Sequence, residues 1–161
     1  MNPARAQGAR SLANSHDNGV LCTLSVKKPG FPFGSVTPYS LDGRGRPVFL
    51  ISTLAVHTKN LTADPHASLL IAEEPQEDDP LAAGRVNLMG KVREIPDEEV
   101  DDTRRLYLEW HPGSAEWADF GDFRFYRLEI TDVYYVGGFG EMGWVSASDY
   151  EHAADAEPVR R

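Results

Sequence analysis

Short β-branched and aromatic runs separated by turn residues dominate the first third of the chain. Gly19 to Val26, Phe33 to Leu41 and Pro47 to Ser52 are such runs, and the Lys-Lys-Pro-Gly and Asp-Gly-Arg-Gly segments between them favour tight turns. The pattern predicts an antiparallel meander. Ahead of it, Pro3 to Ser15 carries Ala, Arg, Gln and Leu with little to break a helix before Asn18-Gly19. Leu54 to Leu61 mixes adjacent and helical apolar spacings and is stopped by Asp64-Pro65, which places a short helix between strands. Ala67 to Ala72 and Arg85 to Arg93 read as further strands, with the acidic stretch Glu73 to Asp79 as an exposed loop. A second helix starts at Pro96-Asp97-Glu98-Glu99, where acids favour the helix dipole, and runs to about Trp110 before His111-Pro112-Gly113. Phe123 to Gly138 alternates most strongly. Phe125, Arg127, Glu129 and Thr131 fall on one side and Tyr126, Leu128, Ile130 and Val133 nearer the other, which predicts the longest strand, central in its sheet. Six strands with two inserted helices give a mainly β, α+β chain: a small antiparallel barrel with peripheral helices. After Tyr150 the stretch EHAADAEPVRR has no apolar face and is expected to be a flexible tail, leaving one domain over residues 1–150.

At 161 residues the chain is long enough to bury a core without disulfides or a structural metal. Its residues are 41% hydrophobic and 25% charged, and no apolar run approaches the roughly 18 needed to cross a bilayer, so no membrane partner is expected. The polar N-terminus lacks a secretory h-region, which makes the cytoplasm the expected compartment. Twenty-five acids against 16 Lys and Arg give a net charge of -9, and the bases stand in scattered pairs such as Lys27-Lys28 and Arg104-Arg105, which excludes nucleic acid as a partner class. Cys22, the single cysteine, makes neither an internal disulfide nor a thiolate zinc site and is expected to be buried and inert. Glu77, Asp78 and Asp79 lack the alternating pattern of a calcium loop, and the five histidines lack ligand spacing, so no metal site is expected. Nucleophile elbows, Walker loops and dinucleotide fingerprints are missing as well, so no catalytic residue is assigned.

What remains is Ser52 to Asn60, where Ser52, Thr53, His57, Thr58, Lys59 and Asn60 gather hydroxyls, an imidazole, an ammonium and an amide at a strand end and helix start. Those groups suit a phosphate, with Lys59 and His57 supplying charge, though the segment by itself reads first as an ordinary capped helix with a surface lysine. A second polar set, Ser35, Thr37 and Tyr39 with Arg85 and Asn87, would be neighbours in a simple meander and line one cleft, where Arg85 could donate to a flat heterocycle.

Three stretches, GFPFGSVTPYSLDGRGRPVFLISTLAVHTKNLTADPHASLLI, DPLAAGRVNLMGKV and DFGDFRFYRLEITDVYYVGGFG, resemble the pyridoxamine 5'-phosphate oxidase-like superfamily of FMN-binding split β-barrels. The order of the S-x-L-A-x-H-T-x-N-L, D-P-x-A-S-L, D-P-L and R-V-x-L-x-G segments is similar to the heme-utilisation (HugZ-like) branch, over roughly residues 8 to 150. The resemblance implies a homodimer with two FMN sites at the interface. Ser35, Val36 and Pro38 would then lie along the flavin ring, Ser52 and Thr53 at the next strand end, and His57, Thr58, Lys59 and Asn60 around the phosphate. Arg85 stands where relatives place a glutamine near the pyrimidine edge. The oxidase's C-terminal Trp and Arg substrate motif is not recognisable, and Glu141 and Met142 interrupt the segment after GGFG.

The expected function is therefore an FMN-dependent oxidoreductase acting on a small molecule, the protein supplying orientation and hydrogen bonds. The alternative is a heme-binding or heme-utilisation protein of the same fold, with His16, His111 or His152 as axial ligand. A flavin-free interaction module is the third reading, because fold alone does not fix activity.

Overall fold

Helix α1 (Pro3–Asn14) forms where expected, because the Asn2 side chain accepts from the Arg5 amide at 3.2 Å and Pro3 suits the first helical position. In the computed structural model, which describes residues 2–75, 78–138 and 140–153, the strands after it make one antiparallel sheet. They are β1 (Asn18–Leu24), β2 (Pro32–Pro38), β3 (Ser40–Leu41), β4 (Pro47–Ser52), β5 (His66–Ala72), β6 (Arg85–Glu94), β7 (Phe123–Val136) and β8 (Met142–Ser146). The spatial order is β2-β1-β5-β6-β7-β4-β3, with β8 also paired to β7. Helix α2 (Val56–Ala63) links β4 to β5, α3 (Val100–Trp110) links β6 to β7, and α4 (Ala147–His152) follows β8.

Strand alternation sorts side chains onto two faces and curls the sheet round one core. Leu21, Leu69, Ile71, Val86, Leu88 and Leu128 point inward. Ala6, Ala9, Leu12 and Ala13 of α1 close the same core, their small side chains letting the helix sit deep in the open side of the curl. A second cluster forms on the opposite face at one end, where Tyr107 of α3 covers Val48, Leu50 and Phe125. Arg10 of α1 is buried, and its guanidinium donates to the carbonyls of Tyr150 at 3.2 Å, Glu151 at 3.1 Å and Gly43 at 3.3 Å, tying α1 and α4 to the β3–β4 turn.

The alternation read along β7 holds: Tyr126, Leu128, Ile130 and Val133 are all in the core. Ile130 and Val133 share a face at odd spacing because Thr131 is an extra residue where the pairing shifts between Met89 and Gly90. Other expectations need correction. Eight strands replace six, because the run from Phe33 to Leu41 breaks at Tyr39 into β2 and β3, and β8 follows a glycine-rich segment that hides its alternation. Residues 147–152 form α4, so Glu151 and His152 belong to a helix rather than a tail, while 154–161 lie outside the described residues. Cys22 is half-buried on the outer face, since Gly19, Leu21 and Thr23 take the inner positions of β1. Glu77 and Phe139 also lie outside the described residues. No helix among the described residues is long and apolar enough to cross a membrane.

Candidate functional site

The joint between β4 and α2 brings the predicted phosphate set together in sequence but divides it in space. Thr58 and Asn60 are each only 2% exposed. The Thr58 hydroxyl donates to the Ser52 carbonyl at 2.6 Å, and the Asn60 amide donates to Thr23 Oγ1 and accepts from the Val26 amide, both at 3.0 Å. These two side chains hold the helix onto the sheet, and their hydroxyl and amide groups are engaged within the fold. Ser52 Oγ donates to the Asp122 carboxylate at 2.9 Å, and the Thr53 amide donates to the Asp122 carbonyl at 2.7 Å, so an acid stands where a phosphate would need donors. His57 is half-buried with Nε2 enclosed and unpartnered, and burial pushes its pKa down, which leaves the neutral imidazole favoured. Lys59 is exposed. Ala55 supplies no side-chain cap to α2.

The second predicted set also separates. Strands β1 and β5 lie between β2 and β6, so Ser35 and Thr37 stand three strand spacings, about 14 Å, from Arg85 and Asn87. They also point the other way: Thr37 is buried toward the core with Ser35 on its side of β2, whereas Arg85 and Asn87 alternate with the buried Val86 and Leu88. Tyr39 is fully buried, its hydroxyl donating to the Ala13 carbonyl at 2.7 Å. The cleft expected from these five residues therefore does not form. Sequence neighbours are not sheet neighbours here, because the chain inserts β5 beside β1.

What the register assembles instead is a band across the outer face. Val36 pairs with Val20, Val20 with Leu70, Leu70 with Asn87, Asn87 with Tyr134 and Tyr134 with Trp144. Among these, Val36 is 76% and Trp144 62% exposed, and Trp144 packs edge-on against Tyr134 with ring centroids 5.1 Å apart. One residue pair along, Cys22, Ser68 and Met89 extend the band, and Arg85 and Lys91 of β6 flank it. Arg85 is half-buried, its guanidinium donating to the Ala83 carbonyl at 3.2 Å. Val36 and Pro38 belong to this face, both exposed and alternating with the inward-facing Ser35 and Thr37. The face thus sets exposed apolar side chains beside Asn87 and Ser68, with Arg85 and Lys91 of β6 and Glu129 and Asp132 of β7 around them.

A separate cleft of about 270 Å³ beside α3 holds Arg46 and Arg127, yet both are engaged: Arg46 with Asp42 at 2.8 Å and Glu129 at 2.9 Å, Arg127 with Glu129 at 3.0 Å and Glu99 at 3.1 Å. That network fastens α3 to the sheet. Arg44, which also lines the cleft, pairs with Glu151 at 2.6 Å, so each of the cleft's three guanidiniums already faces a carboxylate.

A family model described as "CREG, beta-barrel" matches residues 2–152. The chain is 39% identical over 154 residues to the non-canonical heme oxygenase HOZ, chloroplastic, of Arabidopsis thaliana, covering 93% of this chain and 46% of that protein. It is 27% identical to Protein CREG1 of Homo sapiens, covering 90% of this chain and 72% of that one. Among solved structures, a heme binding protein from Mycobacterium smegmatis superposes with a TM-score of 0.85 at 34% identity, over 94% of this chain and 61% of its own. Campylobacter jejuni ChuZ gives a TM-score of 0.74 at 18% identity, over 86% of this chain and 57% of its own, a likeness of fold alone. The chain thus spans about half the length of the plant relative. The architecture is the split β-barrel of the pyridoxamine 5'-phosphate oxidase-like superfamily, with heme-utilisation proteins as neighbours.

Proposed function

Because the chain belongs to the CREG β-barrel family, we propose that it is a heme-binding protein whose site is the outer face of the sheet, closed by a second copy of the chain. The observation that supports this most is the apolar band, exposed from Val36 at one end to Trp144 at the other. A porphyrin is a flat apolar disc carrying two carboxylates. The band offers the disc a surface of matching character, and either Arg85 or Lys91, which stand at opposite ends of it, offers a carboxylate its charge. The mycobacterial heme binding protein and the plant heme oxygenase, both above 30% identity, support heme as the ligand class. Heme oxygenation is the reaction to assay first, on the example of the plant protein.

Hemin titrated into the purified protein is expected to give a saturable Soret band together with quenching of tryptophan fluorescence, and the quenching should fall in Trp144→Phe. Spectra that stay those of free hemin at every ratio would overturn the reading. A second copy is the cover the band needs, since stable interfaces between chains bury about 800 Å² a side and a six-strand apolar face is of that scale. Sedimentation is expected to show a homodimer that Val36→Glu converts to monomer, because the new carboxylate would be buried unpaired. A wild-type monomer at micromolar concentration would remove the second copy from the proposal.

FMN is the weaker reading. The uncapped start of α2 and the exposed Lys59 favour it, but Thr58 and Asn60 are spent on the fold and Asp122 repels a phosphate. Arg85 and the exposed β2 positions serve either ligand. Purification with both cofactors present decides between them: flavin absorbance retained in place of a Soret band would reverse the order. The compartment is proposed to be the cytoplasm, which the reducing state of Cys22 in freshly lysed cells would test.

A further inference from the structure

Resting on the heme reading above, we infer that His66 is the axial ligand of the iron and that Asp64 orients it. Of the five histidines, four are occupied or misplaced. His111 Nε2 meets the Tyr39 carbonyl at 2.6 Å while its ring packs on Tyr107. His57 keeps Nε2 enclosed. His16 follows α1, its Nδ1 2.9 Å from the Leu12 carbonyl, and His152 ends α4, its Nδ1 2.8 Å from the Ser148 carbonyl. Both helices sit on the core side of the sheet, away from the band.

His66 differs in place and in partner. It opens β5 and alternates with the buried Leu69 and Ile71, so it shares the outer face with Ser68 and Leu70. Its register partner on β6 is Lys91, which sets an ammonium next to it on that face. Its Nδ1 lies 2.7 Å from Asp64 Oδ1, which also accepts from the His66 backbone amide at 3.1 Å. With Nδ1–H donating to the carboxylate, the lone pair sits on Nε2, and the side chain is 65% exposed. Iron takes a neutral imidazole through one nitrogen, and a carboxylate on the other fixes the tautomer and raises the ligand's basicity. The mount is firm as well: Pro65 stands between the two residues, and its carbonyl accepts from the Val92 amide at 2.8 Å.

The test uses the whole chain loaded with hemin. Resonance Raman of the ferrous form should show an iron–imidazole stretch that disappears in His66→Ala and returns when free imidazole is added, with His16→Ala as the unchanged control. Asp64→Asn should keep the ligand, lower the stretching frequency and weaken hemin binding roughly 10-fold. His66 is exposed, and far-UV circular dichroism will show that its variant folds. If His66→Ala keeps the wild-type vibration, the inference falls while heme binding stands. If the wild type binds no hemin, both fall.

Discussion

Gly90→Ala is expected to cost about 3 kcal/mol or more of stability, enough to leave a large unfolded fraction at ordinary temperature. Gly90 sits on β6 at the register shift opposite β7. A Cβ there would press into the Glu129 carbonyl, 2.8 Å from its carbon and well inside contact with its oxygen, and would come within 3.1 Å of Ile130 Cα. All three are backbone atoms, so relief requires parting the β6–β7 ladder rather than turning a side chain. That ladder is the middle of the barrel. Urea unfolding measures the effect through the midpoint at constant slope, and a loss below about 1 kcal/mol would mean that the bulge at Thr131 absorbs the methyl group.

The second large effect is expected for Asn60→Ala, at about 2–4 kcal/mol. The substitution removes one buried and one part-buried hydrogen bond, leaving Thr23, 2% exposed, without a donor and the Val26 amide without its protein acceptor. Its value lies in separating two roles. A residue that holds the fold lowers Tm whether or not a cofactor is present. One that holds a phosphate would instead leave the apo Tm unchanged and weaken flavin binding alone.

Why some of this was legible and some not follows from range. The core face of β7 is written in its own alternation, and even the extra residue at Thr131 shows as the odd step from Ile130 to Val133. Helix α2 was legible for the same reason, bounded by Asp64-Pro65. The contents of its polar face were not. Thr58 and Asn60 have the chemistry of ligand contacts, and only their distance to Ser52, Thr23 and Val26 shows that backbone and neighbour already use them. The cleft expected from Ser35 and Arg85 assumed that strands pair in chain order, and the placing of β5 between β1 and β6 is a long-range choice with no local signature. Residue types drew attention to Ser52–Asn60, whereas the spacing of the five histidines gave no reason to single out His66. A signal was available in Asp64-Pro65-His66, an acid two residues before an imidazole at the head of a strand.

Arg10 gives the fold a schedule. Its acceptor on Gly43 follows 33 residues later but those on Tyr150 and Glu151 lie 140 and 141 residues further along, so during synthesis α1 emerges long before its full set of partners exists. Until then the guanidinium lacks two of its acceptors, and α1 is held to the inner wall of the sheet less firmly than in the finished fold. Full closure therefore waits until α4 has been made, and a ribosome stalled before α4 would hold out a β-sheet without its last fastening, of the kind chaperones recognise.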